Sequence, residues 1–353
     1  MIVLAKIKRK IIQEEAHIIM GFFFLWISCT TPNEYNFMSG STMGTTYSIK
    51  ISTEAENVIY DGLKSSIDSI LIDLNSTLST WDTESDISLF NNSTSMKPIL
   101  LSKTFNTVIK KSIDISKQTN GFFDITVYDL MSLWGFGPEP SLKVPNKKNI
   151  DSILVYTSFK KMRLKNQKLS KLHPSLKIDL NAIAKGYGVD QVFNFLNKKG
   201  IKNIFVEIGG EVRCKGRNPK GYFWLVGLDN PDKKDKNDLF FSLIELDNIA
   251  IATSGNYRNF VDLNGENLGH TINPKTGFPV KSNVLSVTVL SKSCMVADAW
   301  ATALMVMDYD TGFNSVKKTE HLSVIWLIEK DEKRIIKKYG NIKINEALYS
   351  IGA

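Results

Sequence analysis

Apolar residues recur along this chain with two different periods, and the period changes from segment to segment. "TTYSIKIST" (45–53) alternates apolar and polar positions, as a half-buried strand does. Between 55 and 74, Ile59, Leu63, Ile67, Ile70, Leu71 and Leu74 fall at helical spacing. Residues 104–118 place Phe105, Val108, Ile109 and Ile113 on one helical face before Asn120-Gly121 stops the pattern. "LKIDL" (176–180) reads as a short strand. The helix expected after it starts near Ala182 and ends on Lys198-Lys199-Gly200, basic residues and a glycine that suit a helix C-terminus. Strands are expected in "NIFVEIGGEVRCKG", in "YFWLVGL", through "LFFSLIELDNIAIATSG" and at "NVLSVTVL" (283–290). "VADAWATALMVM" (296–307) is an apolar helix, and "SVIWLIEKDEKRIIKKY" is a closing hairpin. No regular βαβ alternation runs through this order, so the pattern predicts an α+β fold of mixed sheets with packed helices. No internal repeat interrupts it, and "NPDKKDKND" (230–238) reads as a charged surface loop.

The N-terminus departs from both periods. Lys6, Lys8, Arg9 and Lys10 precede an apolar run from Ile18 to Ile27, and Ser28 stands directly before Cys29. The run is short for a membrane span and matches the apolar region of a signal peptide. The expected organisation is a signal peptide over 1–28, a lipid-anchored tether over 29–39 attached through Cys29, and a folded domain over 40–353. One acyl-modified residue holds a protein on a membrane face without spanning it. This favours an exported lipoprotein on the periplasmic face of the inner membrane over a plain secreted form or a misassigned start. Trp26 stands where such sites usually hold an aliphatic residue, and Glu14 and Glu15 are unusual in an export signal.

Composition narrows the picture only a little. The 353 residues are 43% hydrophobic and 23% charged, as in ordinary globular proteins. The net charge of +8 comes from scattered lysines, with no basic stretch interleaved with aromatics beyond "KIKRK", so nucleic acid is not an expected partner. The cysteines are Cys29, Cys214 and Cys294, without metal spacing; the last two read as buried small hydrophobes, and a disulfide between them stays open.

Candidate chemistry sits in five segments, in a chain without a P-loop or GxGxxG signature. In "DLNAIAKGYG" (179–188) a helix start near Ala182 offers backbone N–H groups to phosphate, with Lys185 adding charge and two glycines permitting close approach. A plain Asp-capped helix explains the same residues. "EIGGEVR" (207–213) suggests a bulge and names no ligand. "IATSGNYRNF" (251–260) is either a strand end turned toward a phosphate or an ordinary strand-to-loop turn. In "ADAWATALM" (297–305), Asp298 and Thr302 are four apart and share a helix face; they are hard oxygen donors suited to Mg²⁺, or a helix-start Asp with a neighbour. "HTINPKTGFPV" (270–280) places His270, one of only four histidines, before a turn. Together they suit Mg²⁺-assisted phosphate chemistry and specify no substrate.

Taken in order, these segments resemble the ApbE family, the FAD:protein FMN transferases. The resemblance runs from about residue 40 to about 310, through "GSTMGTTYSI", "LSTWDTESDISLFN", "GFFDITVYDLMSLWGFG", "IDLNAIAKGYGVD", "EIGGEVR", "ATSGNYRNF", "HTINPKTGFPV" and "VADAWATALMV". It implies Mg²⁺-dependent transfer of the FMN moiety of FAD to a threonine hydroxyl of a target protein, with release of AMP. The implied acceptor is a subunit of a membrane redox complex or another exported flavoprotein. By that resemblance Met43, Trp81, Phe122, Phe123 and Asp124 border FAD, Asp179 and Lys185 contact it, and Ile272 lines its site. Ala182 supplies Mg²⁺ with its backbone carbonyl, Asp298 and Thr302 supply side-chain oxygens, and His270 takes the threonine proton. Asn273 and Asn256 replace common Asp residues, Asn181 replaces a small residue, and Ala301 replaces a carboxylate that some members carry near the metal. Two other readings remain: a Mg²⁺-dependent FAD pyrophosphatase yielding FMN and AMP, and a non-catalytic FAD-binding lipoprotein.

Overall fold

The computed structural model describes residues 36–345 apart from 53–61, 142–143, 230–239, 256–259, 264–265 and 332. Cys29 and the signal segment, the 230–238 loop and Asn256 therefore lie outside the described residues. The strands are β1 (Asn36–Thr42), β2 (Thr45–Ser52), β3 (Ile99–Leu100), β4 (Met162–Lys165), β5 (Lys168–Lys171), β6 (Asn203–Ile208), β7 (Glu211–Lys215) and β8 (Trp224–Asp229). They continue as β9 (Phe240–Leu246), β10 (Ala250–Gly255), β11 (Phe260–Leu263), β12 (Glu266–Gly269), β13 (Val284–Ser291), β14 (Ser323–Lys330), β15 (Lys333–Tyr339) and β16 (Ile344–Asn345). The helices are α1 (Leu63–Leu78), α2 (Asp86–Asn92), α3 (Lys103–Gln118), α4 (Tyr128–Leu133), α5 (Lys147–Leu154), α6 (Asn181–Lys198), α7 (Cys294–Val306) and α8 (Tyr309–Lys317). The segregated helices and antiparallel sheets make this an α+β fold. Strand β1 begins at Asn36, inside the stretch read as tether.

One sheet organises the molecule. Its strands run β1-β2-β6-β7-β10-β13-β14-β15, and every neighbouring pair is antiparallel. Strand alternation gives it two apolar faces. Ile204, Val206 and Ile208 of β6 pack with Val189 and Val192 of α6 and Ala299 and Ala303 of α7 in the main core. On β7, Val212 and Cys214 point the other way, into a second cluster with Trp224, Ile244 and Leu246 from the small sheet β16-β9-β8. Fully burying each such side chain contributes roughly 1.5–3 kcal/mol before entropy is counted. Cys214 and Cys294 are both buried free thiols, so they form no disulfide. No helix among the described residues is long and apolar enough to cross a membrane.

Two local arrangements set the site. At Gly186 helices α6 and α7 cross so closely that a Cβ would stand 2.4 Å from the Cys294 carbonyl oxygen and 2.8 Å from Asp298 Cβ. Asp190 secures the crossing. It accepts hydrogen bonds from the Cys294 and Met295 N–H groups at the start of α7 and from Ser293 Oγ, and it pairs with Arg213 at 2.6 Å. Residues 176–180, expected as a strand, join no sheet. The Asn91 side chain takes the place of a neighbouring strand there. Its Nδ2 donates to the Ile178 carbonyl and its Oδ1 accepts from the Ile178 N–H, each at 2.8 Å, while the Asp179 N–H donates to the Ile125 carbonyl. Buried backbone groups must be paired, and a side-chain amide can pair both.

Candidate active site

A cavity of about 350 Å³ opens where α6 begins, against the β6–β7 turn, the end of β10, the 270–274 segment and the middle of α7. Of the residues read from the sequence, Phe122, Phe123, Asp124, Asp179, Ala182, Lys185, His270, Ile272, Asp298 and Thr302 all line it. Met43 and Trp81 do not. Met43 occupies the β1–β2 turn with a φ of 49° and lies against α6, where a Cβ on Gly188 would meet its Cε at 3.2 Å. Trp81 is 66% exposed on the loop after α1, away from the cavity lining.

The charged centre is built from three elements. Asp298 is buried on α7, and its Oδ2 accepts from the Gly186 N–H at 3.0 Å. In a regular helix that N–H serves the Ala182 carbonyl, and a carbonyl has two lone pairs, so Ala182, which lines the cavity, keeps accepting capacity. Thr302 lies one turn beyond Asp298, with its hydroxyl 3.4 Å from that of Ser254 on β10. Lys185 reaches in from α6 to within 3.5 Å of Glu211 at the start of β7. Its aliphatic stem fits over the β6–β7 turn because Gly209, at a φ of 62°, has no Cβ: one would stand 3.1 Å from Lys185 Cδ.

Glu211 was not singled out from the sequence. Strand alternation contained the signal. Val212 and Cys214 are the apolar face of β7, so Glu211 and Arg213 share the face covered by helices, where a charge needs a reason. Burial pushes the Glu211 carboxyl upward, with Lys185 opposing and Asp298 reinforcing. Burial likewise raises Asp298, against the pull of Lys185 and the Gly186 N–H. For Lys185 burial acts to lower the ammonium, but Glu211 and Asp298 outweigh it and hold the group above its ordinary value.

The two remaining acids are engaged with the protein. Asp179 Oδ1 accepts from the Asn181 N–H at 2.8 Å and Oδ2 from Asn181 Nδ2 at 2.9 Å, so it satisfies the first N–H of α6 from outside the N-cap Leu180 while facing the cavity. Asp124 Oδ1 accepts from the Thr126 N–H and hydroxyl, and Oδ2 from the Phe159 N–H at 2.7 Å. Both cavity acids thus accept nearby backbone N–H groups, as a structural Asp does.

The opposite wall is aromatic and apolar. Phe122 carries Lys275 Nζ 3.5 Å above its ring centroid. His270 follows β12 and meets Phe136 edge-on, with ring centroids 6.4 Å apart. The turn after it is tightly held: Asn273 Oδ1 accepts from the Lys275 N–H, Gly277 donates to the Asn273 carbonyl, and Trp134 Nε1 donates to the Gly277 carbonyl at 2.6 Å. An Asp would accept the Lys275 N–H equally well, so Asn273 keeps the turn. Ala301 is fully buried in the core and lines no part of the cavity, and the Asn181 side chain serves Asp179.

The donor chemistry suits a hard divalent cation. Among the described residues no three His, Cys, Asp or Glu side chains cluster as a soft-metal or all-carboxylate cage would require. Instead the wall offers the Asp298 carboxylate, the Thr302 hydroxyl and the Ala182 carbonyl, the sparse oxygen set with which Mg²⁺ binds alongside substrate phosphates.

Comparisons with known proteins give the family. The sequence pattern of the ApbE family matches residues 43–326. The chain is 39% identical over 315 residues to the FAD:protein FMN transferase of Vibrio cholerae serotype O1, covering 89% of this chain and 93% of that one. It is 34% identical to the enzyme of the same name from Haemophilus influenzae, covering 90% and 93%. Among solved structures, the flavin transferase ApbE from Vibrio cholerae superposes with a TM-score of 0.78 at 37% identity, covering 90% of this chain and 98% of that one. The apo form of the Pseudomonas stutzeri flavinyl transferase ApbE also gives a TM-score of 0.78, at 28% identity over 86% and 94%. A match of this extent means that the chain belongs to the ApbE family.

Proposed function

We propose that this protein is a FAD:protein FMN transferase that moves the FMN moiety of FAD onto a threonine hydroxyl of a partner protein and releases AMP. The observation that carries the reading is one cavity holding a Lys185–Glu211–Asp298 charge cluster and His270. Lys185 would meet the negative diphosphate, and Phe122 and Ile272 would border a ring system. Asp298, Thr302 and the Ala182 carbonyl would hold Mg²⁺, which when bound neutralises phosphate charge. His270 takes the proton from the threonine hydroxyl, whose oxygen bonds to the FMN phosphorus as the bond to AMP breaks. A neutral imidazole suits that task.

The acceptor in this reading is an exported flavoprotein, such as a membrane redox-complex subunit. We further propose that Cys29 carries a lipid that keeps the enzyme on the periplasmic face of the inner membrane. Labelled palmitate incorporated into the full chain and lost in Cys29→Ser supports that anchor; equal labelling of both removes it.

Product analysis tests the reaction. With FAD and Mg²⁺, AMP should appear at an appreciable rate only when acceptor protein is present, and no free FMN should accompany it. Rapid release of both FMN and AMP without acceptor would make the protein a pyrophosphatase. Intact FAD in every mixture would leave a binding protein.

A further inference from the structure

Glu211 belongs to the charge cluster described above, yet no step of the chemistry is assigned to it. Its side chain is buried at 6% exposure and lines the cavity. One oxygen faces Lys185 at 3.5 Å, and the other, Oε2, is buried without a hydrogen-bond partner among the described residues. A carboxylate oxygen in that state is costly, and a core position would shed it. The Lys185 ammonium keeps it in place instead, against the like charge of Asp298.

Its charge changes the sign of the cavity. Burial works against both carboxylates, but once ionised Glu211 and Asp298 set two negative charges against the single positive charge of Lys185 among the lining residues, with Lys275 held over Phe122 at the opposite wall. Asp124 and Asp179, whose oxygens are turned to nearby N–H and hydroxyl donors, add to the same sign. His270 is the other titratable group on the wall. A net-negative cavity attracts a divalent cation and repels a diphosphate, and both effects grow with the burial of the charges.

We propose that Glu211 is a positioning residue that enforces the order of binding: its carboxylate strengthens capture of a divalent cation at Asp298 and Thr302 and holds off the FAD diphosphate until that cation is in place. The inference rests on the functional reading above. It assigns Glu211 no bond to the metal. The residue acts through Lys185 and through its field, as groups behind the first ligands commonly do.

Opposite shifts in two affinities distinguish this role from a structural one. Calorimetric titration with Mg²⁺ alone, at about pH 9 so that the carboxyl is ionised despite its burial, should show Glu211→Gln binding about tenfold more weakly than wild type. Titration with FAD in EDTA should show the same variant binding about threefold or more tightly, because one repulsive charge is gone. Lys185→Met, which alters the balance in the other sense, should bind Mg²⁺ more tightly and metal-free FAD more weakly. That variant also decides the matter if Glu211→Gln does not fold. Glu211→Gln affinities that fall together or do not move overturn the proposal while leaving the transferase reading intact. Wild-type protein that binds neither Mg²⁺ nor FAD overturns that reading and this one with it.

Discussion

Lys171 is a buried cation held by carbonyls. It is 2% exposed, donates from Nζ to the Ser93 and Leu176 carbonyls at 2.6 and 3.0 Å, and lies 4.7 Å from the Phe90 ring centroid. Burial, with a contribution from Lys177, pushes its ammonium down to about 8 from 10.5. Between those values the unfolded chain binds a proton that the folded chain has released, so this group's contribution to stability rises with pH across the window. Below it both states are protonated and the contribution is constant. Wild-type unfolding midpoints should therefore rise relative to Lys171→Met from about pH 8 to about pH 10.5, and parallel curves would contradict the assignment. The residues of the site were unequally legible at this scale. Asp298 and Thr302 share a face by spacing alone. Glu211 was hidden because "EIGGEVR" reads as a strand until one asks which of its faces is covered. Trp81, an aromatic by resemblance at the flavin, is on an exposed loop.

At the scale of elements, periodicity located the long helices α1, α3, α6 and α7 and most strands because each buries one face, whereas the short helices α2, α4, α5 and α8 were not expected. Helix α3 starts one residue before its expected bound, and β13 and α7 lie within two residues of theirs. "LKIDL" misled because its apolar alternation is real while its backbone partner is a side chain 87 positions away. The α6–α7 crossing was foreshadowed only as glycines that permit close approach. Gly186 now has a specific cause, since the atom a Cβ would strike is a backbone carbonyl oxygen, which cannot rotate aside. Alanine favours an isolated helix by about 1 kcal/mol. Gly186→Ala should nevertheless destabilise the protein by about 1–3 kcal/mol in urea unfolding, the cost of overpacking. It should also weaken Mg²⁺ binding, because Asp298 is displaced with the crossing. A variant as stable as wild type would show that the helices have room to part.

For the whole molecule, the α+β class followed from the lack of βαβ alternation, but the sheet order did not. Strand β10 enters between β7 and β13 only because the β8–β9 hairpin leaves for the opposite face of the sheet, where Trp224, Ile244 and Leu246 cover Val212 and Cys214. Such pairing joins residues far apart in sequence and leaves no local trace. The order matters for function, since it sets the start of β7 and the end of β10 beside α6 and α7 and so closes one cavity from separate segments. The central claim is that this cavity transfers FMN to protein. Its most direct measurement is the intact mass of a threonine-bearing acceptor protein after incubation with this protein, FAD and Mg²⁺, alongside EDTA and His270→Ala controls. The account predicts a gain of one FMN that is lost with EDTA and reduced by orders of magnitude in His270→Ala. An acceptor of unchanged mass, with FAD hydrolysed or intact, would contradict it.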